Sequence, residues 1–343
     1  MKKLLNTLYV TMPDAYLALD GESIVVRKGD DALIRVPLLN LEGVVTFGYA
    51  GASPALMRAC AERQIGLSFM SGSGRFLASV IGEMQGNVIL RRIQYRYADS
   101  EEKSAGIARN LLIGKLHNGR WVIERATRDH SIRVDVEKLK SASRALSESI
   151  KSLYKVRETD SLRGIEGDAA AQYFSVFDEL ILQDKEAFSF KNRNRRPPMD
   201  RVNAMLSLAY ALLTSETTSA LSAIGLDPFV GFLHKDRPGR RSLALDLIEE
   251  LRPVFADRFV LSLINNRQIG GKDFYFKESG AVLMHDESRK AFLAAWQAKK
   301  QESITHPFLN EKIEWGLVPH VQALLLARYL RGDLDEYPPF LWK

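Results

Sequence analysis

A single cysteine, Cys60, is all the thiol chemistry available to this chain of 343 residues. That scarcity excludes an intramolecular disulfide framework and a cysteine-built zinc site, and it fits a reducing compartment, so a cytoplasmic location is expected. Cys60 lies in MRACAERQ, an amphipathic helical pattern in which a lone thiol reads as a small packing residue. Long apolar runs are missing as well: none reaches the roughly 18 residues needed to cross a bilayer, and no membrane partner is expected. The opening stretch MKKLLNTLYVTMPDAYLALDG is interrupted by Asn6, Thr7, Pro13 and Asp14 before a signal-peptide core can form, and it reads as a first strand. There is no G-x-S-x-G elbow, no G-x-x-x-x-G-K-[ST] phosphate loop and no H-E-x-x-H zinc helix, which removes the usual serine-hydrolase, nucleotide-loop and zinc-protease readings. Internal repeats are absent, and low complexity is confined to one arginine-rich loop.

What the chain does contain is ordinary globular material, 46% hydrophobic and 26% charged, with a formal net charge of +6. The excess of cations is small, but it is clustered. Residues 191–201 carry Lys191, Arg193, Arg195, Arg196 and Arg201 against Asp200 alone, and a second cluster holds Lys235, Arg237, Arg240 and Arg241. Each cluster alone fits either a solvated loop or a surface for a phosphate polymer. A third basic and aromatic mixture, Arg91, Arg92, Tyr95, Arg96 and Tyr97, is read as structural.

The length suggests two domains. Up to about residue 82 the pattern is a series of short β-rich runs, LLNTLYVT, AYLALDG, SIVVRKG, ALIRVPL, GVVTFG, IGLSFMS and RFLASVIG. They are separated by turn signals at Asp20-Gly21, Lys28-Gly29-Asp30-Asp31 and Ser71-Gly72-Ser73-Gly74, with one helical stretch, SPALMRACAERQ, among them. From about Asn87 the period becomes helical, as in SAGIARNLLIGKLHNGRWVIERATRDH and VNAMLSLAYALLTSETTSALSAIG. The expectation is an α+β protein: a small β-rich domain over residues 1–86 and a larger, mainly helical catalytic domain over residues 87–343.

Three segments of the helical part carry candidate chemistry. In LRGIEGDAAAQYF, Glu166 stands between Gly164 and Gly167, small residues that allow close backbone approach, ahead of Ala169, Ala170, Tyr173 and Phe174 at helical spacing. A carboxylate on a buried helix needs a cation or a partner, whereas an acid in a first helical turn is merely solvated. In GFLHKDRPGRRSLALDLIEELRP, His234 lies in a loop after Gly231, Pro238-Gly239 continue the turn, and Ser242 is a plausible N-cap. On the helix that follows, Asp246, Glu249 and Glu250 fall at i, i+3 and i+4, while Ala244, Leu247, Ile248 and Leu251 take the other side. Periodicity does not separate a ligand cluster from the polar face of a surface helix. One imidazole with two or three carboxylates is nonetheless a hard donor set suited to Mg²⁺ or Mn²⁺, and neighbouring arginines suit phosphate. His117, His130, His285, His306 and His320 are read as structural, with His306-Pro307 fixing a turn.

At these segments the chain resembles the CRISPR-associated Cas1 family, the endonuclease and integrase of spacer acquisition. LRGIEGDAAAQYF resembles the family's segment for its first metal-binding glutamate, and Phe188 to Leu213 resembles its R-x-R-R-P-P-x-D-x-x-N-A-x-L-S element. GFLHKDRPGRRSLALDLIEELRP is similar to its histidine and acidic-helix segment, and the likeness extends over nearly the whole chain to the tail HPFLNEKIEWGLVPHVQALLLARYLRGDLDEYPPFLWK. Tail and loop lengths are most similar to type I-C forms. The resemblance implies Glu166, His234 and Glu249 as ligands of Mg²⁺ or Mn²⁺ and as catalytic residues, with Asp246 a supporting member of the catalytic set. The two basic clusters are then expected to hold DNA backbone phosphates through Arg193, Arg195, Arg196, Lys235, Arg237, Arg240 and Arg241. The resemblance further implies a homodimer, two of which flank a dimer of the small partner Cas2 in a heterohexamer, and double-stranded DNA as substrate, both fragment ends and CRISPR repeat. A nuclease acting only on branched DNA, and a non-catalytic DNA-binding scaffold, are the competing readings.

Overall fold

The computed structural model describes residues 6–12, 14–41, 43–71, 76–80 and 88–342. Its N-terminal part consists of strands β1 (Thr7–Val10), β2 (Tyr16–Asp20), β3 (Ser23–Lys28), β4 (Asp31–Pro37) and β5 (Gly43–Phe47), helix α1 (Pro54–Glu62), and strands β6 (Gly66–Met70) and β7 (Phe76–Val80). Two sheets result. One is a meander in the order β2-β3-β4, and the other is a four-stranded mixed sheet in the order β1-β5-β6-β7, parallel at β1/β5 and β5/β6 and antiparallel at β6/β7. The expected turns at Asp20-Gly21 and Lys28-Gly29 are the hairpin turns, with Gly21 and Gly29 at φ 58° and 60°, a conformation that favours glycine. The turn expected at Ser71–Gly74 and the boundary expected at residues 86/87 both fall in or against stretches outside the described residues. Ser53 caps α1 by accepting from the Leu56 N–H. That helix buries Leu56, Ala59 and Cys60 in a separate core with Leu17, Ile24, Val26, Val44 and Leu67. Cys60 is thus a packing residue, and burial pushes its thiol up to about 11.

The rest is mainly helical: α2 (Val88–Ala98), α3 (Glu101–Asp129), α4 (Val136–Leu153), α5 (Thr159–Ser175), α6 (Arg201–Ile224), α7 (Ser242–Ile248), α8 (Arg258–Asn265), α9 (Asp286–Gln301) and α10 (Val318–Leu330). The long α3 and α6 bury residues all around their circumference, as central helices must. Two features went unforeseen, because their strands are only three residues long: the antiparallel pairs β8 (Phe274–Phe276) with β9 (Val282–Met284) and β10 (Ser303–Thr305) with β11 (Lys312–Glu314). Of the basic and aromatic group expected to be structural, the two tyrosines make contacts within the fold, Tyr95 donating to Asp227 at 2.9 Å and Tyr97 meeting Tyr329 edge-on, while Arg92 and Arg96 are exposed. His306 also serves the fold, accepting from the Leu309 N–H at 3.3 Å across the turn after Pro307.

The mixed sheet joins the helical core through Val45, Phe47 and Met70. Ser68 and Ser215 share a hydrogen bond of 2.8 Å, and a Cβ on Gly66 would stand 2.5 Å from the Ser219 hydroxyl, so β6 lies hard against α6. Among the described residues no helix is long and apolar enough to cross a membrane.

Candidate active site

The three segments singled out above meet. α5 carries Glu166 in its middle, two turns in from the end, not in the first turn. Gly164 and Gly167 do not serve the close approach expected of them, since an added Cβ at either would meet nothing. The histidine loop follows Gly225, which ends α6 in the left-handed conformation at φ 89°. Asp246 then folds that loop. Its Oδ2 accepts the N–H groups of Phe232 and Leu233 at 2.6 and 2.9 Å, and its Oδ1 accepts the His234 N–H at 3.0 Å and faces His234 Nδ1 at 2.6 Å. A Cβ at Gly231 would stand 2.7 Å from Oδ2, so only glycine permits this wrapping. Asp246 is wholly buried and its lone pairs are used, which makes it a positioning residue and not a ligand. A proton on His234 Nδ1 directed at Asp246 leaves Nε2 as the free donor atom, 3.9 Å from Glu249 Oε1. The loop is tied to α5 as well: Arg163 donates to the Leu233 carbonyl at 2.6 Å, and Lys235 pairs with Asp160 at 2.9 Å.

At the centre stands a residue the sequence did not point to. Lys115 of α3 contacts Glu166 and lies 2.8 Å from Glu249 Oε2, while Arg252 lies 2.7 Å from Glu249 Oε1. Burial works against the charge on Lys115, but Glu249 and Glu166 more than offset it and hold the ammonium above its ordinary range. Burial likewise opposes ionisation of Glu249, yet Arg252, Lys115 and His234 bring its carboxyl down to about 2. Arg252 is fixed further by its place over the Tyr210 ring, 4.9 Å from the centroid.

Glu250 departs from the expected cluster. Asp246, Glu249 and Glu250 do not share a face, because α7 stops at Ile248 and the chain continues through a turn into a π-helical segment, Arg252–Asp257. Glu250 turns away and accepts from Gln322 at 2.7 Å, Tyr337 at 2.5 Å and the Phe340 N–H at 2.8 Å. The amphipathic-surface alternative fails too, since Asp246, Glu249 and Glu250 are at most 2% exposed. Ser242 is the first helical residue, not the cap.

Glu166 and Glu249 converge on the Lys115 ammonium, and His234 Nε2 lies beside the other oxygen of Glu249; two carboxylates and an imidazole are a donor set suited to a hard divalent ion such as Mg²⁺ or Mn²⁺. Among the described residues no three His, Cys, Asp or Glu side chains are already spaced to hold a metal, and the charge between Glu166 and Glu249 is that of Lys115.

The basic runs divide. Asp200 caps α6, and Asn203 accepts from the Asn194 N–H at 3.1 Å while donating to the Asn192 carbonyl at 2.9 Å, which folds the first run inward at Arg193. Arg193 bonds Asn203 at 2.6 Å and Ser207 at 3.2 Å and stands 5.2 Å from the Tyr210 ring centroid; unlike the other expected DNA contacts Arg195 and Arg196, its guanidinium is half-buried and engaged within the fold. Arg241 is similarly committed, to Ser79 at 3.0 Å and to the Phe76 ring at 3.7 Å. Arg195, Arg196, Lys235 and Arg237 are exposed. Arg240 unites the runs: burial, then Arg237, Arg195 and Arg196 depress its pKa against the pull of Asp246, so these cations occupy one face beside the histidine loop.

Arg252 lay within a segment already singled out, three residues after Glu249, a spacing at which acid and base pair on a helix. Lys115 gave no such signal, being 51 residues from Glu166.

The family model described as CRISPR associated protein Cas1 matches residues 8–298. A protein of Chlorobaculum tepidum named CRISPR-associated endonuclease Cas1 1 is 50% identical over 343 residues, covering 100% of both chains. One of Rhodospirillum rubrum, named CRISPR-associated endonuclease Cas1 2, is 49% identical over 347 residues, again covering 100% of both. Among solved structures, a CAS1 protein from Thermotoga maritima superposes with a TM-score of 0.82 at 22% identity, covering 95% of this chain and 97% of the other, a likeness of fold.

Proposed function

The chain belongs to the CRISPR-associated Cas1 family, and from that premise we propose that it is a divalent-metal-dependent DNA endonuclease and integrase of spacer acquisition. It joins the 3′-hydroxyl ends of short duplex fragments into a CRISPR repeat by transesterification, and with water as nucleophile it cuts. The observation that carries this reading is the pair Glu166 and Glu249 held on one largely buried cation, with His234 Nε2 3.9 Å from Glu249, beside a face bearing Arg195, Arg196, Arg237 and Arg240.

Glu166, His234 and Glu249 would hold Mg²⁺ or Mn²⁺, which when bound neutralises charge developing on the phosphate. This chain's residues do the rest. Asp246 keeps the proton on His234 Nδ1 and so presents Nε2. Arg252 fixes the Glu249 carboxylate and keeps it ionised. The exposed arginines hold backbone phosphates, giving salt-dependent binding with little sequence preference.

The homodimer and the heterohexamer with Cas2 belong to the same proposal. An apolar edge for the dimer is present on β4, which pairs only with β3 among the described residues and exposes Leu33 at 46% and Ile34 at 48%. A type I-C parent system is its finest form, checked by the genes adjoining this one.

The test combines supercoiled repeat-containing plasmid, a short duplex with 3′-hydroxyls, the partner protein and Mn²⁺ or Mg²⁺. Strand joining that is lost in EDTA and in Glu166→Ala is expected. Joining that persists under either condition would end the metal reading; cutting without joining would mark a nuclease on branched DNA, and DNA binding with neither would leave a scaffold.

A further inference from the structure

The point between Glu166 and Glu249 is held by a charge of the chain's own. Lys115 Nζ reaches both carboxylates, and a divalent ion bound by both would need the same space. We infer that Lys115 is a tethered cation that competes with the metal for Glu166 and Glu249, so that metal uptake is an exchange in which the ammonium withdraws from at least one of them. This inference rests on the metal reading above.

Of the two cations at the site, Lys115 is the one built to leave. Arg252 is a planar fork fixed against Glu249 and the Tyr210 ring, whereas a lysine carries a compact charge on a flexible four-carbon stem. The backbone beneath Lys115 cannot follow such a movement. An added Cβ at Gly114 would meet Glu250 Cβ at 2.9 Å and Pro339 at 3.2 Å, and Asn118 one turn on bonds the Glu250 and Phe340 carbonyls at 2.6 and 2.7 Å. The change is therefore confined to the side chain, which is 14% exposed and so has an opening through which to move. Two consequences follow from mass action. The ammonium holds the two carboxylates in place, and it lowers the apparent affinity for the metal that the same donors would otherwise show.

Mn²⁺ titration calorimetry and thermal unfolding, with and without Mn²⁺, on wild type, Lys115→Met, Lys115→Gln and Glu249→Gln test the exchange. The Lys115 variants are expected to bind Mn²⁺ on the order of tenfold tighter than wild type, to melt lower without the ion and to gain more from it. A lysine that merely supported the site would give the opposite sign. Should the variants fold only with Mn²⁺ present and unfold on chelation that wild type survives, the exchange is equally supported. Unchanged or weakened Mn²⁺ binding in both folded variants overturns it. Wild-type binding that Glu249→Gln abolishes keeps the metal reading in that event, whereas no Mn²⁺ uptake by any form removes both.

Discussion

Glu249 and Glu250 are consecutive, chemically identical and almost wholly buried, yet they sit at opposite ends of the carboxylate range. Glu249 faces Arg252, Lys115 and His234 and is brought down to about 2. Glu250 faces Gln322, Tyr337 and Phe340, none of them charged, and burial raises it to about 7 in spite of their hydrogen bonds. The difference lies in what stands opposite each: full cations offset desolvation of the charged form, and neutral donors do so only in part. One residue is thereby kept as a permanent anion among cations, while its neighbour anchors the C-terminal strap, Tyr337 to Trp342.

The sharpest way to break this division is to neutralise each in turn. Glu249→Gln is expected to lower metal-dependent joining by roughly a thousandfold or more, the loss of a metal-held carboxylate in the transition state. Glu250→Gln is expected to retain joining within about tenfold, because it touches no cation of the site. Rates from a gel-based joining assay decide; equal losses would show that the strap and the site are one unit.

A second contrast is in pH. Glu250 holds its proton more tightly folded, at about 7, than its ordinary value of 4.5. The stability it contributes is therefore complete below about pH 4.5 and is lost as pH rises through 7. Glu249, held near 2, contributes stability that is complete above 4.5 and lost only as pH falls toward 2. Between pH 5 and 8 only Glu250 of the pair titrates. Asp257, raised to about 6 by burial, titrates there too and is common to both proteins in a comparison with Glu250→Gln. Urea unfolding of wild type relative to Glu250→Gln should lose of order 3 kcal/mol across that window. A flat difference would mean that Glu250 is ionised throughout.

Much of this arrangement was legible in the sequence. Turn residues and alternation marked the N-terminal strands, and helical periodicity marked α3 and α6. The family resemblance, and not spacing, singled out Glu166 and Glu249, which meet at Lys115, and His234, which lies beside Glu249. What stayed hidden depends on contacts distant in sequence. Lys115 acquires meaning only when α3 packs against α5 and the Glu249 segment. Ideal helical spacing groups Glu250 with Glu249, but α7 ends there and a π-helical segment follows. Arg193 shared the composition of its neighbours, and only the Asn203 and Asp200 hydrogen bonds turn it inward.

That inward turn gives the smallest expected effect and repeats the same contrast in cations. Arg195 and Arg196 are exposed beside Arg240, whereas Arg193 is enclosed among Asn203, Ser207 and Tyr210. Each phosphate contact contributes about 0.9 to the slope of log affinity against log salt on duplex DNA. Charge reversal at Arg195 and Arg196 together should therefore flatten that slope by roughly 2 and weaken binding at low salt, with thermal stability unchanged. Arg193→Met should leave the slope as it is and instead cost about 1–3 kcal/mol of stability, since Asn203 and Ser207 lose a buried partner. Salt titrations of duplex binding beside melting curves separate the two; an Arg193→Met slope that falls with the others would place its guanidinium on the DNA after all.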